Sequence, residues 1–395
     1  MKTNNISIGS LKIPLLLLGM VVIFSCGFHT VSAATPSTSS IYVSPAGSDS
    51  SNGQSATQTS TTVGPKKTVS SALSTVSNGG VVTLASGTYN VNNLVISKSM
   101  TINGAGYTKT VITGSNAGRI LTIEDGATVT ITGVTFENGK STYGGAIHND
   151  GTLNLKYSEF KNNYSPDYGG AVYNDGKLTS YYVTYTGNTA ACGAGITNDV
   201  GGSMDIARSS FTYNHASGSG SGVGYGGAIY NNVGDTYLIY NSFSYNTGFE
   251  GATLYNCGQL DAYSNSFAHN TAVSDSGAID TYHGVTTLSY DTFVDNHAGI
   301  FGGACYIDTD EGVTDTTLSE LIVSHCSFTG NTAGLDGGAI HNYRGKLIIS
   351  DTKFINNYAG RYGGALVNWY GSMACSGNLY TNNIAKAGST INQWS

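Results

Sequence analysis

The stretch Gly144-Gly145-Ala146-Ile147 decides the fold, because near-copies of it recur along the rest of the chain. The clearest other copies are Gly169-Gly170-Ala171-Val172, Gly226-Gly227-Ala228-Ile229, Gly302-Gly303-Ala304-Cys305, Gly337-Gly338-Ala339-Ile340 and Gly363-Gly364-Ala365-Leu366. Weaker copies begin at Gly193, Gly251, Ser276 and Gly388. Most copies start about 25 residues after the one before, which is the signature of a repeat protein.

A second motif, an aromatic residue followed three positions later by asparagine, runs in phase with the glycine motif. Its copies are Phe160/Asn163, Tyr185/Asn188, Phe211/Asn214, Phe243/Asn246, Phe267/Asn270, Phe293/Asn296, Phe328/Asn331, Phe354/Asn357 and Tyr380/Asn383. Short stretches of alternating apolar and polar residues, such as Leu153-Asn154-Leu155, lie between the two motifs. A period of two predicts strands, so each repeat consists of three short strands separated by turns.

Strands this short have no room for a hairpin partner inside their own repeat. Each must therefore pair with the equivalent strand of the next repeat, in the same direction and roughly 4.8 Å away. The sequence thus predicts an all-β, single-stranded parallel β-helix of about a dozen coils, with the fourth residue of each glycine motif and each aromatic residue pointing inward. Asparagines at corners tolerate left-handed backbone and can bond the amide of the next coil; one predicted ladder is Asn149, Asn174, Asn198, Asn231, Asn256, Asn342 and Asn368.

The organisation outside these repeats is predicted from local patterns. Residues 1–34 carry a charged start, an apolar run and small residues before the end, which is typical of a secretory signal peptide; residues 35–40 resemble a flexible lead. Residues 41–143 hold less regular coils, and 144–395 hold the repeats. Residues 66–77 place apolar side chains on one helical face, which predicts a short helix capping the stack.

The composition and charge of the chain argue against some classes of function. The chain has 395 residues, of which 10% are charged, with a formal net charge of −7. Such a surface argues against nucleic-acid binding, which needs clustered Lys and Arg. We expect no second membrane-spanning stretch and no cofactor. Five cysteines follow residue 34; we interpret them as buried thiols, with a Cys305–Cys326 disulfide as the alternative.

The two motifs together resemble the polymorphic outer-membrane protein repeat and the β-helix stretches of adhesin-like surface proteins. The segment Ile41-Tyr42-Val43-Ser44-Pro45 is similar to the start of many secreted pectate-lyase-like proteins. The resemblance implies a right-handed coil, a secreted or cell-surface location, and adhesion. It implies no particular ligand.

Outward-facing aromatic residues are the candidate binding site. The residue after the buried position of the glycine motif should point outward, and this column includes Tyr173, Tyr230, Tyr255, Tyr306 and His341. Tyrosine offers a large contact area at low entropic cost, so the column could bind a glycan or a protein. In the alternative interpretation the rings stack only on each other and stiffen the sheet.

Two further clusters are weaker candidate sites. Asp308, Asp310 and Glu311 lie in an insertion and form a weak calcium candidate, although no ordered calcium-binding loop surrounds them. His341, Arg344 and Arg361 fall on neighbouring coils and could form a basic subsite for an acidic sugar.

No catalytic motif is recognisable. The sequence therefore favours a secreted or cell-surface, adhesin-like, non-catalytic β-helix. A polysaccharide lyase or glycosidase on the same fold, and a structural cell-wall spacer, remain the alternatives.

Overall fold

The computed structural model describes residues 39–218, 224–310 and 319–394. The predicted signal peptide, residues 35–38 of the predicted lead and Glu311 lie outside these residues. Within them, no helix has the length and apolar character needed to cross a membrane.

The described residues form a parallel β-solenoid, which confirms the predicted fold class, and each coil adds one strand to each of several sheets. The long-strand sheet contains Ser40–Val43, Gly80–Leu84, Met100–Gly104, Thr128–Thr132, Thr152–Lys156, Lys177–Tyr181, Ser203–Ala207, Asp235–Ile239, Gln259–Tyr263, Val285–Ser289, Glu320–Ser324, Lys346–Ser350 and Ser372–Ser376. The glycine-motif sheet contains Leu94–Ile96, Leu121–Ile123, Ile147–Asn149, Val172–Asn174, Ile196–Asn198, Ile229–Asn231, Leu254–Asn256, Ile279–Tyr282, Cys305–Asp308, Ile340–Tyr343, Leu366–Trp369 and Ile391–Trp394.

Two further sheets close each coil. The aromatic-motif sheet contains Gly87–Asn90, Thr110–Thr113, Thr135–Glu137, Glu159–Lys161, Thr184–Thr186, Ser210–Thr212, Ser242–Ser244, Ser266–Ala268, Thr292–Val294, Ser327–Thr329, Lys353–Ile355 and Leu379–Thr381. The short-strand sheet contains Thr189–Ala190, His215–Ala216, Thr247–Gly248, Thr271–Ala272, His297–Ala298, Thr332–Ala333, Tyr358–Ala359 and Ile384–Ala385. The sequence predicts only three strands per repeat, because a two-residue strand shows no alternation to detect.

The two glycines of the repeat are required by crowding at one corner of the coil. Gly226 has a φ of +62°, and a Cβ there would lie 2.0 Å from the carbonyl oxygen of Ile229. A Cβ on Gly227 would lie 2.0 Å from the carbonyl oxygen of Ala252 on the next coil. The first glycine therefore makes the turn, and the second lets successive coils approach closely.

The inward positions stack in register, as predicted. Ile147 pairs with Val172, which pairs with Ile196, and all three side chains are fully buried. The rings of the aromatic motif form a continuous stack, with neighbouring centroids 4.5–5.1 Å apart from Phe136 to Tyr380. Burial of these rings and the dispersion contacts between them contribute much of the stability of the core.

The thiols agree in part with the first interpretation made from the sequence: Cys192, Cys305 and Cys326 are buried, but Cys257 is half-buried and Cys375 is exposed. None of the five cysteines in the described residues forms a disulfide. Cys305 and Cys326 both belong to the hydrophobic core. A Cys305–Cys326 bond is therefore not formed in this structure.

Buried asparagines form ladders that run along the stack. In the predicted column, Nδ2 of Asn149 donates to Oδ1 of Asn174 (2.7 Å), and Nδ2 of Asn174 donates to Oδ1 of Asn198 (2.7 Å). The asparagines of the aromatic motif form a second ladder from Asn163 to Asn383. A third ladder, which the sequence analysis missed, joins residues two positions before the aromatic ring; Asn241 and Asn265 belong to it.

The predicted helix spans Val69–Thr75 near the first coil. The side chain of Thr68 accepts a hydrogen bond from the backbone N–H of Ser71 (3.2 Å), which caps the helix N-terminus. The predicted apolar face, Val69, Ala72, Leu73 and Val76, joins the same hydrophobic core as the first strand.

Candidate functional site

We call the outer surface of the glycine-motif sheet the aromatic face. Its first column precedes the glycines and comprises Tyr143, Tyr168, Cys192, Tyr225, Glu250, Asp275, Phe301, Asp336 and Tyr362. Its second column, which contains the predicted binding residues, comprises His148, Tyr173, Thr197, Tyr230, Tyr255, Asp280, Tyr306, His341 and Val367. Its third column comprises Asp150, Asp175, Asp199, Asn232, Cys257, Tyr282, Asp308, Tyr343 and Trp369.

Most of the predicted binding residues lie on this face but are covered. Tyr173, Tyr255 and Tyr306 expose only 6–8% of their surface, and His341 exposes none. Tyr230 is half-buried. The alternation that sends a side chain out of the core does not determine whether neighbouring side chains then cover it.

Rings of the adjoining columns provide that cover. Tyr225 stacks on Tyr255 with centroids 4.3 Å apart, and Phe301 packs edge-on against His341 at 4.6 Å. The covering rings themselves are half-buried, and Tyr143 is 41% exposed. The face therefore has a floor of buried rings and an accessible rim.

Four carboxylates interrupt the aromatic residues on three successive coils. Glu250 belongs to one coil, Asp275 and Asp280 belong to the next, and Asp308 belongs to the third. In the glycine-motif sheet, Asp280 pairs with Tyr255 on one side and Tyr306 on the other. The sequence of one column places Asp280 among tyrosines but does not show that the carboxylates of two adjoining columns lie near it.

Burial and mutual repulsion raise the pKa values of carboxyl groups in this cluster. Burial, and then repulsion from Asp275 and Asp308, raises the pKa of Glu250 to about 7. Asp280 is 2% exposed, and burial followed by repulsion from Glu250, Asp275 and Asp308 raises its pKa well above the usual value. Carboxyl groups with such shifts are frequent in functional sites.

One end of the aromatic face does not form the basic subsite considered from the sequence. Asp336 accepts hydrogen bonds from Nε of Arg361 (2.9 Å) and from its Nη2, which neutralises that cation. Burial, followed by the charge of Arg361, lowers the pKa of His341 to about 3, so this imidazole is neutral at physiological pH. Arg344 lies over the rings of Tyr343 and Tyr370 instead.

The other end brings one histidine to two carboxylates. Nε2 of His148 lies 3.1 Å from Oδ1 of Asp150 and 3.1 Å from Oδ2 of Asp175. Among the residues that the structure describes, this is the one group in which three potential metal-ligand atoms lie within 4.8 Å of each other. Contacts between the imidazole and its two neighbouring carboxylates account for the arrangement.

Two of the three calcium candidates, Asp308 and Asp310, are not arranged as ligands of one calcium-binding loop. Asp310 accepts a hydrogen bond from the hydroxyl of Tyr282 (2.8 Å) and lies 3.2 Å from Nε2 of His283. Asp308 lies on the aromatic face, where burial raises its pKa. Glu311 lies outside the described residues. The described pair does not join a group of three ligand atoms.

A second set of aromatic residues lies at the corner after the long strands, and the sequence analysis missed it. Tyr157, Tyr182, Tyr240 and Tyr290 are 44–50% exposed and have φ angles of +48° to +59°. The rings of Tyr157 and Tyr182 stack 5.5 Å apart. Because stacked rings cover each other's faces, mostly their edges and hydroxyl groups are accessible.

A comparison with known protein families agrees with the predicted repeat. The family model described as the Chlamydia polymorphic membrane protein repeat matches residues 325–343, which confirms the predicted repeat type for that copy. This segment contains Phe328, Asn331 and the glycine motif that starts at Gly337. No curated protein sequence matches the chain significantly.

Several solved structures are similar to most of this chain at low sequence identity. A PL6 alginate lyase in complex with a trisaccharide is 13% identical, with 82% of this chain and 80% of that chain covered and a TM-score of 0.44. PfbA, a surface adhesin of Streptococcus pneumoniae, is 14% identical, with 80% and 86% covered and a TM-score of 0.45. The catalytic domain of a GH87 alpha-1,3-glucanase is 11% identical, with 83% and 66% covered and a TM-score of 0.44. Likeness at this level carries no argument about function.

Proposed function

We propose that this chain is a secreted or cell-surface, adhesin-like protein that binds a glycan chain along its aromatic face. The observation that carries the proposal is the recurrence of partly exposed rings on several coils of that face. The predicted residues Tyr173, Tyr255, Tyr306 and His341 act as its floor, and Tyr230 belongs to the accessible part.

The repeat geometry supports a polymeric partner. Successive coils of a β-helix are roughly 4.8 Å apart, so equivalent side chains present the same chemistry at a short, regular interval. A linear polysaccharide presents its own units at regular intervals and can lie along such a surface. Tyr143 and Tyr168, with ring centroids 6.0 Å apart, and Tyr230 offer aromatic surface of the kind used in recognition.

Replacing Tyr143, Tyr168 and Tyr230 together by alanine is expected to weaken binding to cell-wall glycans at least about tenfold, since several partly exposed rings are lost. Binding is measured by glycan array and by titration of soluble oligosaccharides, with circular dichroism to verify folding. The control replaces Tyr157, Tyr182 and Tyr290 by alanine at the other corner. Unchanged binding in the first variant, or an equal loss in the control, would place the site elsewhere. If the unmodified chain binds no glycan, the structural-spacer alternative is favoured.

The four carboxylates favour a second candidate, a polysaccharide-degrading enzyme. Glycosidases use a protonated and an ionised carboxyl group, and Glu250, with its pKa near 7, beside Asp275 fits those two states. Incubation of the chain with neutral polysaccharides separates the candidates. Release of reducing ends that disappears in Glu250→Gln would assign catalysis, and intact polymer after prolonged incubation excludes it for those substrates.

A further inference from the structure

We infer that the acidic centre of the aromatic face, formed by Glu250, Asp275, Asp280 and Asp308, is a subsite for an uncharged, hydroxyl-rich sugar and excludes anionic sugars such as uronates. The inference rests on the proposed function and names its ligand class.

Asp280 is buried and has no hydrogen-bond partner among the described residues. Its side chain lies almost wholly out of solvent, and no described residue donates a hydrogen bond to its carboxylate. Buried carboxylates in proteins are ordinarily paired or hydrogen-bonded, because loss of hydration is costly. The acceptor oxygens of Asp280 are therefore available to donors from a bound molecule.

The titratable groups that act on Asp280 are Glu250, Asp275 and Asp308 on the same face, the hydroxyls of nearby tyrosines, and the thiols of Cys257 and Cys305. None of these is a cation; His283 acts on Asp308 and Asp310 and is not among the groups that act on Asp280. A carboxylate-bearing sugar would add like charge to this cluster and be repelled.

A metal ion is the alternative occupant of this cluster. Within residues 39–218, 224–310 and 319–394, these four acids do not place three ligand atoms within 4.8 Å of each other. A calcium ion takes six to eight oxygen ligands, so this cluster is not a preformed calcium cage. Sugar hydroxyls, which each donate one hydrogen bond, suit separated acceptors better.

Aromatic rings flank Asp280. Tyr255 and Tyr306 lie beside Asp280 in the sheet register, and Tyr225 stacks on Tyr255. Carboxyl oxygens can accept hydrogen bonds from the hydroxyl groups of a sugar unit, while the aromatic rings beside them pack against its apolar face.

The experiment titrates the full chain with three probes: cellohexaose, N-acetylchitohexaose and hexagalacturonate. We expect at least one uncharged hexamer to bind. We expect the galacturonate to bind at least about tenfold more weakly, because its carboxylates have the same sign of charge as the cluster and are repelled by it. Galacturonate binding as tight as that of the best uncharged hexamer would overturn the inference but leave the proposed function standing. If no hexamer binds, neither the inference nor glycan binding through this face survives.

The variant Asp280→Asn separates a ligand role from a structural one. We expect it to bind the uncharged hexamer about tenfold more weakly, because the amide replaces one acceptor oxygen of the carboxyl group with a nitrogen that only donates. We also expect its melting temperature to exceed that of the unmodified chain, and the gain to grow as pH rises above 3.8. The melting temperature should rise because the pKa of Asp280 is higher in the folded chain than in the unfolded chain, so ionisation of Asp280 at higher pH destabilises the folded chain, and asparagine cannot ionise.

The matched control is Asp295→Asn, whose carboxylate is 54% exposed on a corner outside the face. It removes the same formal charge and should change neither binding nor the melting temperature appreciably. A lower melting temperature for Asp280→Asn, or unchanged binding by it, would contradict the inference.

Discussion

Phe293→Ala is expected to lower the free energy of unfolding by about 3–5 kcal/mol, the cost of removing a buried aromatic side chain and leaving a cavity. Phe293 is fully buried between Phe267 and Phe328, with ring centroids 4.8 Å and 4.5 Å away. The neighbouring rings are held by their own coils, so they cannot move together to fill the gap. Urea unfolding followed by circular dichroism gives the value.

Phe249→Ala is the control, because the same ring there is 41% exposed. We expect this variant to lose much less stability than Phe293→Ala. Equal effects of the two substitutions would mean that the aromatic stack is not the core of the solenoid.

Asn270→Ala should cost about 3 kcal/mol or more, since each buried polar group left unpaired costs roughly 1–3 kcal/mol. Nδ2 of Asn270 donates to the carbonyl of Phe243 (3.1 Å) and to Oδ1 of Asn296 (2.9 Å). Its Oδ1 accepts from both the backbone N–H (2.9 Å) and Nδ2 (3.0 Å) of Asn246. One substitution therefore interrupts the ladder on both sides, and the same urea titration measures the loss.

Asn154→Ala tests whether this cost comes from the ladder or from asparagine as such. Asn154 lies on the outer side of the long-strand sheet and is not part of a ladder. Its replacement should change stability by less than about 1 kcal/mol. A small effect of Asn270→Ala, comparable with that of Asn154→Ala, would show that the ladder contributes little.

The fold was predictable because each inward position repeats once per coil. The glycine motif and the aromatic motif locate two strands of every repeat, and the buried positions at Ile147 and Phe293 were both predicted correctly. The two-residue strands were missed because they contain no alternation. The third ladder was recognisable in principle, since Asn241 and Asn265 each lie two positions before a phenylalanine.

The candidate site was only half predictable. The sequence identified the face and the tyrosines on it, because alternation along a strand assigns each residue to one side of a sheet. It did not predict that Tyr255 and Tyr306 would be covered, nor that Asp280 would lie near Glu250 and Asp308. These facts depend on how side chains of three adjacent columns pack against each other.

The amino-acid sequence by itself determined the stacked coils, the aromatic core and two asparagine ladders, since all of these follow from like residues meeting at a fixed period. Only the tertiary structure decided which outward rings stay accessible and where unpaired negative charge collects. The physical reason is that exposure and pKa depend on distances between side chains on different coils and columns, and no period in the sequence specifies those distances.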